Sequence, residues 1–342
     1  MITRKTLSLK AIFQFTGQHL TWLIPWMLIV TGGYYFTHWK FLTLPWLPLS
    51  LIGVAVAFYV GFKNNQSYDR LWEARKIWGA IINNSRMLGT MIKHFRSQEN
   101  ENVVAGAMDE ARKQFVYRHI AYIYRLRHQL LEPTAWEHVS LAWIFGSLNR
   151  GRQSRMLKNY EEDLKALTQQ TYLSKEEQAQ LGAFGNMATQ LLDKQTEAIQ
   201  RLFQSGQVNM MQQMELQRII NSFYEEQGKA ERIKKFPLPR QYGSYGFVFV
   251  CIFVFLLPFG IVGEFSKLGD AYIWLSVPVG VVIGWIYVVM EMIGDYSENP
   301  FEGLPNDVPM LSICRTIEID LLQMIGEQNI PKPIQAKENV LF

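Results

Sequence analysis

The chain has 342 residues, and its 34 basic and 30 acidic residues leave a formal net charge of +4. This mild excess comes without long basic tracts, so the composition gives no reason to expect a nucleic-acid partner. Two cysteines, Cys251 and Cys314, are too few for a disulfide framework.

Four long apolar segments form two pairs on either side of a long polar region, at residues 20–39, 41–62, 244–265 and 272–294. Each contains about the 20 apolar residues that a helix needs to cross roughly 30 Å of hydrocarbon. Buried helices of a soluble protein are the alternative, but such helices average only about 11–12 residues. The sequence therefore predicts an all-α, polytopic membrane protein with four transmembrane helices per subunit.

Basic residues near these segments predict the orientation. Arg4, Lys5 and Lys10 precede the first segment, and Lys234 and Lys235 precede the third, whereas the links within each pair carry little positive charge. Because Lys and Arg near membrane spans stay in the cytoplasm, we expect cytoplasmic N- and C-termini in a multi-pass protein of the cell's inner (plasma) membrane.

Four parts follow from this topology. Residues 1–62 are predicted to hold the N-terminal segment and the first two membrane helices, and residues 63–240 a cytosolic helical domain. Residues 241–294 are predicted to hold the last two membrane helices, and residues 295–342 a cytosolic C-terminal segment.

Helical periodicity runs through the polar region. The second apolar segment is predicted to continue as one long helix to about Phe95, because apolar residues recur at three and four positions without a helix breaker. A second helix is predicted to place Phe115, His119, Tyr122 and Leu126 on one stripe. Further helices are predicted near residues 155–170, 175–203 and 210–227, and no strand pattern is found.

Prolines are frequent in the apolar segments, at Pro25, Pro45, Pro48, Pro258 and Pro278. A proline inside a helix removes a backbone donor and bends the helix. We therefore expect each of these positions to kink a membrane helix, either beside a water-filled path or as a simple packing bend.

Enzyme motifs are missing from the sequence. It contains no phosphate-binding Walker loop, no dinucleotide glycine pattern, no Gly-x-Ser-x-Gly elbow and no His-Glu-x-x-His helix. His119 and His128 are nine residues apart, a spacing that fits a shared metal site poorly. The sequence thus predicts neither an enzyme nor a bound cofactor or metal.

The second apolar segment carries a distinctive stripe. Val54, Phe58 and Phe62 follow one another at intervals of four residues, which places them on one helix face. Small residues lie between them: Ala55, Ala57 and Gly61. Such a face suits either an apolar ring that lines a pore or the packing of helices within a subunit, and the spacing alone favours neither.

Polar residues follow the stripe directly: Lys63, Asn64, Asn65, Asp69 and Arg70. At this depth they would line a water-filled vestibule or cap helices at the membrane surface, and the sequence slightly favours capping.

Two motifs resemble those of a known family. Residues 53–79 read GVAVAFYVGFKNNQSYDRLWEARKIWG and resemble the second-helix signature of the bacterial bestrophin homologues. Residues 298–309 read ENPFEGLPNDVP, and CRTIEIDLL begins at Cys314; both resemble the family's stretch after the fourth span. The resemblance covers most of the chain, except about residues 133–200.

The resemblance implies a homopentameric ion channel with one central pore, whose partners are further copies of itself, the lipid bilayer and permeant monovalent ions. It places a hydrophobic neck at Val54, Phe58 and Phe62 and a second narrowing, at the cytosolic exit, near Met211. Animal relatives pass anions and bacterial ones are reported as cation-permeable. A membrane-anchored scaffold or sensor without conductance is the alternative function, and helix-pair packing of Met210, Met211 and Met214 is the alternative for the exit.

Calcium is a further point of comparison with the family. Animal bestrophins are calcium-activated chloride channels with a dense acidic run after the fourth span, but here only Glu298, Glu302 and Asp307 are present, a degenerate acidic cluster. Pro300, Gly303 and Pro305 interrupt them. Because Ca²⁺ takes six to eight oxygen ligands, we expect no metal site and no gating by calcium.

Overall fold

The computed structural model describes residues 1–97, 110–141, 143–169 and 172–342. These residues divide into two compact units. The apolar unit contains Arg4–Arg70 and Pro237–Glu298; the polar unit contains Met1–Thr3, Leu71–Phe236 and Asn299–Phe342. Within the described ranges the regular structure is helical, and only isolated β-bridges occur, such as the one between Ile2 and Val340.

In chain order, the helices of the described residues are α1 (Leu9–Thr16), α2 (Leu20–Thr37), α3 (Trp46–His94), α4 (Glu110–Leu131), α5 (Trp143–Asn159), α6 (Glu161–Gln169), α7 (Lys175–Gly182), α8 (Met187–Gln204), α9 (Met210–Lys235), α10 (Arg240–Ser266), α11 (Ser276–Ser297) and α12 (Met310–Met324).

Three helical segments of the described chain are long and apolar enough to cross a membrane: Trp46–His94, Arg240–Ser266 and Asp270–Ser297. The first predicted span forms α2, which has 18 residues and contains Pro25. Its proline, two tryptophans and two tyrosines lower its hydropathy below that of the other three segments.

The prediction that every apolar-segment proline kinks a helix is wrong. Pro25 and Pro258 do lie inside α2 and α10. Pro45, however, precedes the first residue of α3, and Pro48 and Pro278 lie in the first turns of α3 and α11. The N–H groups in the first turn of a helix have no acceptor within the helix, so a proline there removes no helical hydrogen bond.

The link between α2 and α3 is also longer than predicted. It covers residues 38–45 and includes a 3₁₀ turn at Lys40–Leu42, whereas the sequence pattern suggested that little more than Lys40 separated the two segments. His38 adopts a left-handed conformation with φ of 52°, which ends α2 and turns the chain.

The core of the apolar unit is formed by side chains from four helices. Leu23 and Met27 of α2, Val60 of α3 and Leu257 of α10 are fully or almost fully buried, and Val288 of α11 packs with them. Membrane helices associate through such close packing rather than through a hydrophobic force between them.

The polar unit has its own core, and the predicted α4 stripe lies in it. Phe115, His119, Tyr122 and Leu126 are all completely buried. The Nε2 atom of His119 is 2.9 Å from the hydroxyl oxygen of Ser85, and burial lowers the pKa of His119 to about 3. His119 is therefore a neutral packing residue.

Three predicted helices of the polar unit differ from the observed ones. The stretch predicted near 155–170 covers the end of α5 and all of α6, with a break between Asn159 and Glu161. The stretch predicted as one helix at 175–203 is two helices, α7 and α8, because Asn186 begins a new helix by accepting a hydrogen bond from the backbone N–H of Thr189 at 3.1 Å. The helix predicted at 210–227 continues to Lys235 as α9.

Candidate functional site: the exposed face of α3

The predicted stripe lies on the surface of the chain. Val54, Phe58 and Phe62 are 69%, 68% and 54% exposed. The rings of Phe58 and Phe62 contact each other edge to face, with centroids 4.6 Å apart and planes inclined by 84°. The alternative that these residues pack inside the subunit is therefore wrong, and the three form a continuous exposed apolar surface, the α3 stripe.

The opposite face of α3 explains why the stripe points outward. Val56 and Val60 are buried in the core of the apolar unit. A side chain at Gly53 would put its Cβ 2.9 Å from the ring of Phe253, so the absence of a side chain lets α3 and α10 approach closely. The hydroxyl of Tyr287 donates a hydrogen bond to the carbonyl of Gly53 at 3.0 Å. These contacts fix the rotation of α3 about its own axis.

A buried ion pair fixes the same helix just after the stripe. Lys63 is almost completely buried and forms an ion pair with Glu291 of α11, while Asp295 lies 3.8 Å from the same ammonium. The side-chain amide of Asn64 donates to the carbonyl of Met290 at 3.0 Å. Lys63 stood out in the sequence, but its pairing with Glu291 joins positions 228 residues apart and no local pattern signals it.

The predicted exit residue lies at the start of α9. Asn209 accepts a hydrogen bond from the backbone N–H of Gln212, and the Gln212 side chain accepts one from the backbone N–H of Asn209, so the two residues form a capping box. Met211 is 79% exposed, and Met210 and Met214 are exposed as well. The alternative that these methionines pack a helix pair within the chain is therefore wrong.

Two of the predicted acidic residues are buried in the polar unit. Glu302 accepts hydrogen bonds from the backbone N–H of His138 at 3.1 Å and from the Asn299 amide at 2.9 Å, and the Nδ1 atom of His138 is 3.0 Å from the same carboxylate. Asp307 accepts a hydrogen bond from the backbone N–H of Leu304 at 2.8 Å. Burial, reinforced by the Glu302 carboxylate, raises the pKa of Asp307 to about 8.

A third buried carboxylate, that of Glu137, lies near Glu302. Glu137 forms an ion pair with Lys234, and both side chains are buried. Burial raises the pKa of Glu137, although the Lys234 ammonium opposes the rise. The third predicted acidic residue, Glu298, belongs to the apolar unit, where it lies 3.4 Å from Arg240 and its carbonyl accepts a hydrogen bond from Arg70.

These carboxylates do not fit a calcium site. The Glu302 oxygens face two N–H donors and an imidazole nitrogen rather than an open space, and Asp307 caps the turn that its own segment makes. No group of three or more potential metal-ligating His, Cys, Asp or Glu side chains occurs in the described part of the chain. Hydrogen-bond donors within the polar unit thus occupy the oxygens that a cation would need.

His138 contacts a predicted site residue, Glu302, but was not identified from the sequence. It contacts Glu302 across 164 residues of sequence and lies in the region, about 133–200, where the family resemblance is weakest. Since a lone histidine before a polar turn has no distinctive pattern, the sequence offered no signal for this contact.

Known bacterial proteins are similar to this chain in sequence over most of its length. The chain is 27% identical over 289 residues to the voltage-dependent anion channel-forming protein YneE of Escherichia coli strain K12, covering 84% of this chain and 79% of that protein. It is 26% identical over 306 residues to the voltage-dependent anion channel-forming protein RSc3414 of Ralstonia nicotianae, covering 89% of this chain and 86% of the relative.

Solved structures share the fold. The crystal structure of a bacterial bestrophin homolog from Klebsiella pneumoniae superimposes with a TM-score of 0.71 at 23% identity, covering 91% of this chain and 98% of the other. The sequence model of the family described as bacterial/fungal bestrophin protein matches residues 9–323. The chain is therefore a membrane protein that belongs to the bacterial and fungal bestrophin family.

Proposed function

We propose that the chain is the subunit of a homopentameric ion channel of the inner (plasma) membrane, in which the α3 stripes of five copies form a hydrophobic neck. The observation that supports this most is the exposed face of α3, where Val54, Phe58 and Phe62 lie in line and the rings of Phe58 and Phe62 contact each other. A ring of apolar side chains at a constriction controls ion flow by dewetting.

Several subunits are required because one helix per subunit cannot enclose a pore, and closed symmetry supplies the ring. Each subunit would cross the membrane four times. Helix α2 would be the first of these spans, in addition to the three long apolar helices, since its 18 residues include no charged side chain and, at 1.5 Å per residue, extend about 27 Å. The basic residues beside the spans support cytoplasmic N- and C-termini.

Met211 would form a second constriction at the cytosolic exit. Its side chain is exposed on a helix end that the Asn209 capping box holds in place. Methionine is unbranched and flexible, so five copies could vary the width of this opening without backbone movement. The constriction would therefore select by size and by the cost of removing water from the ion.

Small monovalent ions are the proposed permeant species. The two curated relatives described above are named for anion channels, which supports chloride as one such ion. The α3 stripe itself contains no charged side chain, so the neck alone does not decide between anions and cations.

Reconstitution of the pure protein tests this function. We expect a particle of five times 39.8 kDa by light scattering in mild detergent, and single-channel currents in planar bilayers whose reversal potential follows a salt gradient. A monomer or dimer in detergent and in nanodiscs, or a pentamer that never conducts, would contradict the proposal. The second result would favour a membrane-anchored scaffold.

A Met211→Glu variant tests the exit constriction separately. Five carboxylates in a narrow ring should strongly favour cations over anions. A Glu215→Gln variant one helical turn away serves as the control, because Glu215 pairs with Arg218 on the surface of α9. An unchanged permeability ratio in the assembled Met211→Glu channel would show that this side chain is not on the axis.

A further inference from the structure

We infer that Asp69 forms a ring of carboxylates at the cytosolic mouth of the neck and biases the pore toward cations. The inference rests on the proposed channel, because it requires the α3 stripe to face the central axis. It deepens that proposal by assigning the charge selectivity to a residue outside the apolar neck.

The helical register places Asp69 in line with the stripe. At about 100° per residue, Val54, Phe58 and Phe62 are centred on one direction, and Asn65 and Asp69 fall within about 20° of it. Asp69 lies about 10 Å further along the helix than Phe62, at 1.5 Å per residue. Both Asn65 and Asp69 are exposed. The face that carries the aromatic rings therefore continues into an amide and then a carboxylate.

The neighbouring cations point away from this face. Lys63 lies about 140° and Arg70 about 120° from the centre of the stripe. Lys63 is buried against Glu291, and its charge is compensated there. Arg70 is only partly exposed and donates from its Nε to the carbonyl of Glu298 at 2.8 Å. Lys63 and Arg70 thus both contact partners inside the apolar unit.

Asp69 differs from the other acidic residues of the region. Glu291 and Asp295 lie beside the Lys63 ammonium, and Glu298 lies beside Arg240. The Asp69 carboxylate forms no ion pair or hydrogen bond with any described residue of the chain. From Val54 to Arg70 the one charge on the stripe's face is therefore the Asp69 carboxylate, and the next charge in this register, on Lys76, is paired with Glu73 at 2.6 Å.

Five such carboxylates around one axis would act together. Clefts lined by charge of one sign concentrate counter-ions, and rings of Asp or Glu are a common basis of cation selectivity. Since the neck beyond them contains no fixed charge, the mouth is the place where cations and anions would first be distinguished. The relatives' names point to anions, so the inference predicts a measurable departure from them.

Charge substitutions at this face test the inference in planar bilayers under a tenfold KCl gradient. Asp69→Asn, which keeps the side-chain shape, should lower the cation-to-anion permeability ratio by about threefold or more. Asp69→Lys should lower it further, and Asn65→Asp, which adds a second ring, should raise it. Glu264→Gln is the control and should leave the ratio unchanged, because Glu264 lies at the far end of α10, where it is paired with Lys267.

Salt concentration separates a charge effect from a structural one. The Debye length falls from about 10 Å at 0.1 M to about 3 Å at 1 M salt, so the difference between the wild-type protein and Asp69→Asn should shrink at 1 M. A purely structural change would persist at both concentrations.

The outcomes are distinguishable from failure of the channel proposal. Unchanged ratios in conducting, pentameric Asp69→Asn and Asn65→Asp channels would overturn the inference and leave the channel intact. These two variants decide the question even if Asp69→Lys fails to assemble. A wild-type pentamer without currents would overturn the proposed function and the inference together.

Discussion

The α3 stripe and the buried acidic residues of the polar unit are opposite in polarity and in exposure. On α3 three large apolar side chains are exposed, whereas in the polar unit Glu137, Glu302 and Asp307 are buried. The buried carboxylates have their partners within the same unit, in Lys234, His138 and backbone N–H groups. The stripe has no such partner within the described chain beyond its own two rings.

This difference indicates that the contacts of the acids lie within the chain, whereas those of the stripe lie outside it. Burying a charged or polar group without a hydrogen-bond partner is costly, so the donors around these carboxyl groups stabilise the fold of the polar unit. An exposed phenylalanine loses no comparable energy, but an aromatic stripe within an apolar helix is suited to contact with other copies, with lipid or with a pore lumen. The difference supports a structural role for the acids, and it agrees with the neck proposed for the stripe.

The largest effect is expected from breaking a buried pair of the polar unit. Lys234→Met leaves the Glu137 carboxylate buried without its cation, which should lower the free energy of unfolding by about 3–5 kcal/mol. The double variant Glu137→Gln with Lys234→Met should recover much of that loss. Thermal unfolding of the detergent-solubilised protein measures both.

The control for this experiment is the exposed pair of Lys165 and Glu161 on α6. Lys165→Met should leave the unfolding temperature unchanged within error, because exposed ion pairs contribute little. Equal losses in Lys234→Met and Lys165→Met would contradict the structural role of the buried pair.

Truncating the stripe should change the single-channel conductance and leave the stability nearly unchanged. Phe58→Ala combined with Phe62→Ala should change the free energy of unfolding by only about 1 kcal/mol or less, since both rings are exposed. It should raise the single-channel conductance by widening the neck and removing its dewetting barrier. Currents are recorded in planar bilayers alongside the thermal unfolding.

Phe223→Ala is the matched control, because this ring is completely buried in the polar unit. This substitution should lower the free energy of unfolding by about 3–5 kcal/mol because it leaves a cavity. The fraction of the variant that still folds should conduct like the wild-type protein. A conductance that matches the wild-type value in a folded Phe58→Ala, Phe62→Ala channel would mean that these rings are not the narrow point.

A further effect concerns the pH dependence of stability. Asp307 has a pKa of about 8 in the folded protein instead of 3.8, so the folded state holds this proton more tightly than the unfolded state. Its stabilising contribution is complete below about pH 4 and decreases as the pH rises toward 8. We expect Asp307→Asn to flatten the decline in unfolding temperature between pH 5 and pH 9, whereas an unchanged slope would assign the decline to other groups.

The smallest effect is expected from removing calcium. Because donors within the polar unit occupy the Glu302 and Asp307 carboxylates, a chelator should leave the open probability in planar bilayers unchanged. A steep and reversible loss of current on adding chelator, restored by calcium but not by magnesium, would require oxygen ligands that these residues do not offer.

The sequence predicted features that depend on neighbouring residues. The long α3, which ends at His94 rather than at Phe95, followed from an unbroken apolar period, and the buried face of α4 followed from its stripe. The three longest apolar helices followed from composition alone. Such features depend on residues three or four positions apart, which the sequence displays directly.

Features that depend on distant residues could not be predicted. The contacts of Lys63 with Glu291 and of His138 with Glu302 join helices and turns that are far apart in the chain. The prolines show a related difficulty, because a proline bends a helix or begins one depending on where the helix starts, and helix starts are the least certain part of a sequence-based assignment. The sequence likewise did not show whether Phe58 is exposed, because that depends on which face of α3 packs against the other helices.

The contact between Gly53 and Phe253 has a consequence for how this family can diverge. The face of α3 that determines where the helix lies is tightly packed, with no room for a side chain at position 53. The opposite face, one residue further on at Val54, is open. In a saturation mutagenesis library we expect position 53 to accept glycine alone, while positions 54, 58 and 62 accept many apolar residues. Evolution could therefore vary the size of the stripe's side chains freely without disturbing the placement of the helix that bears them.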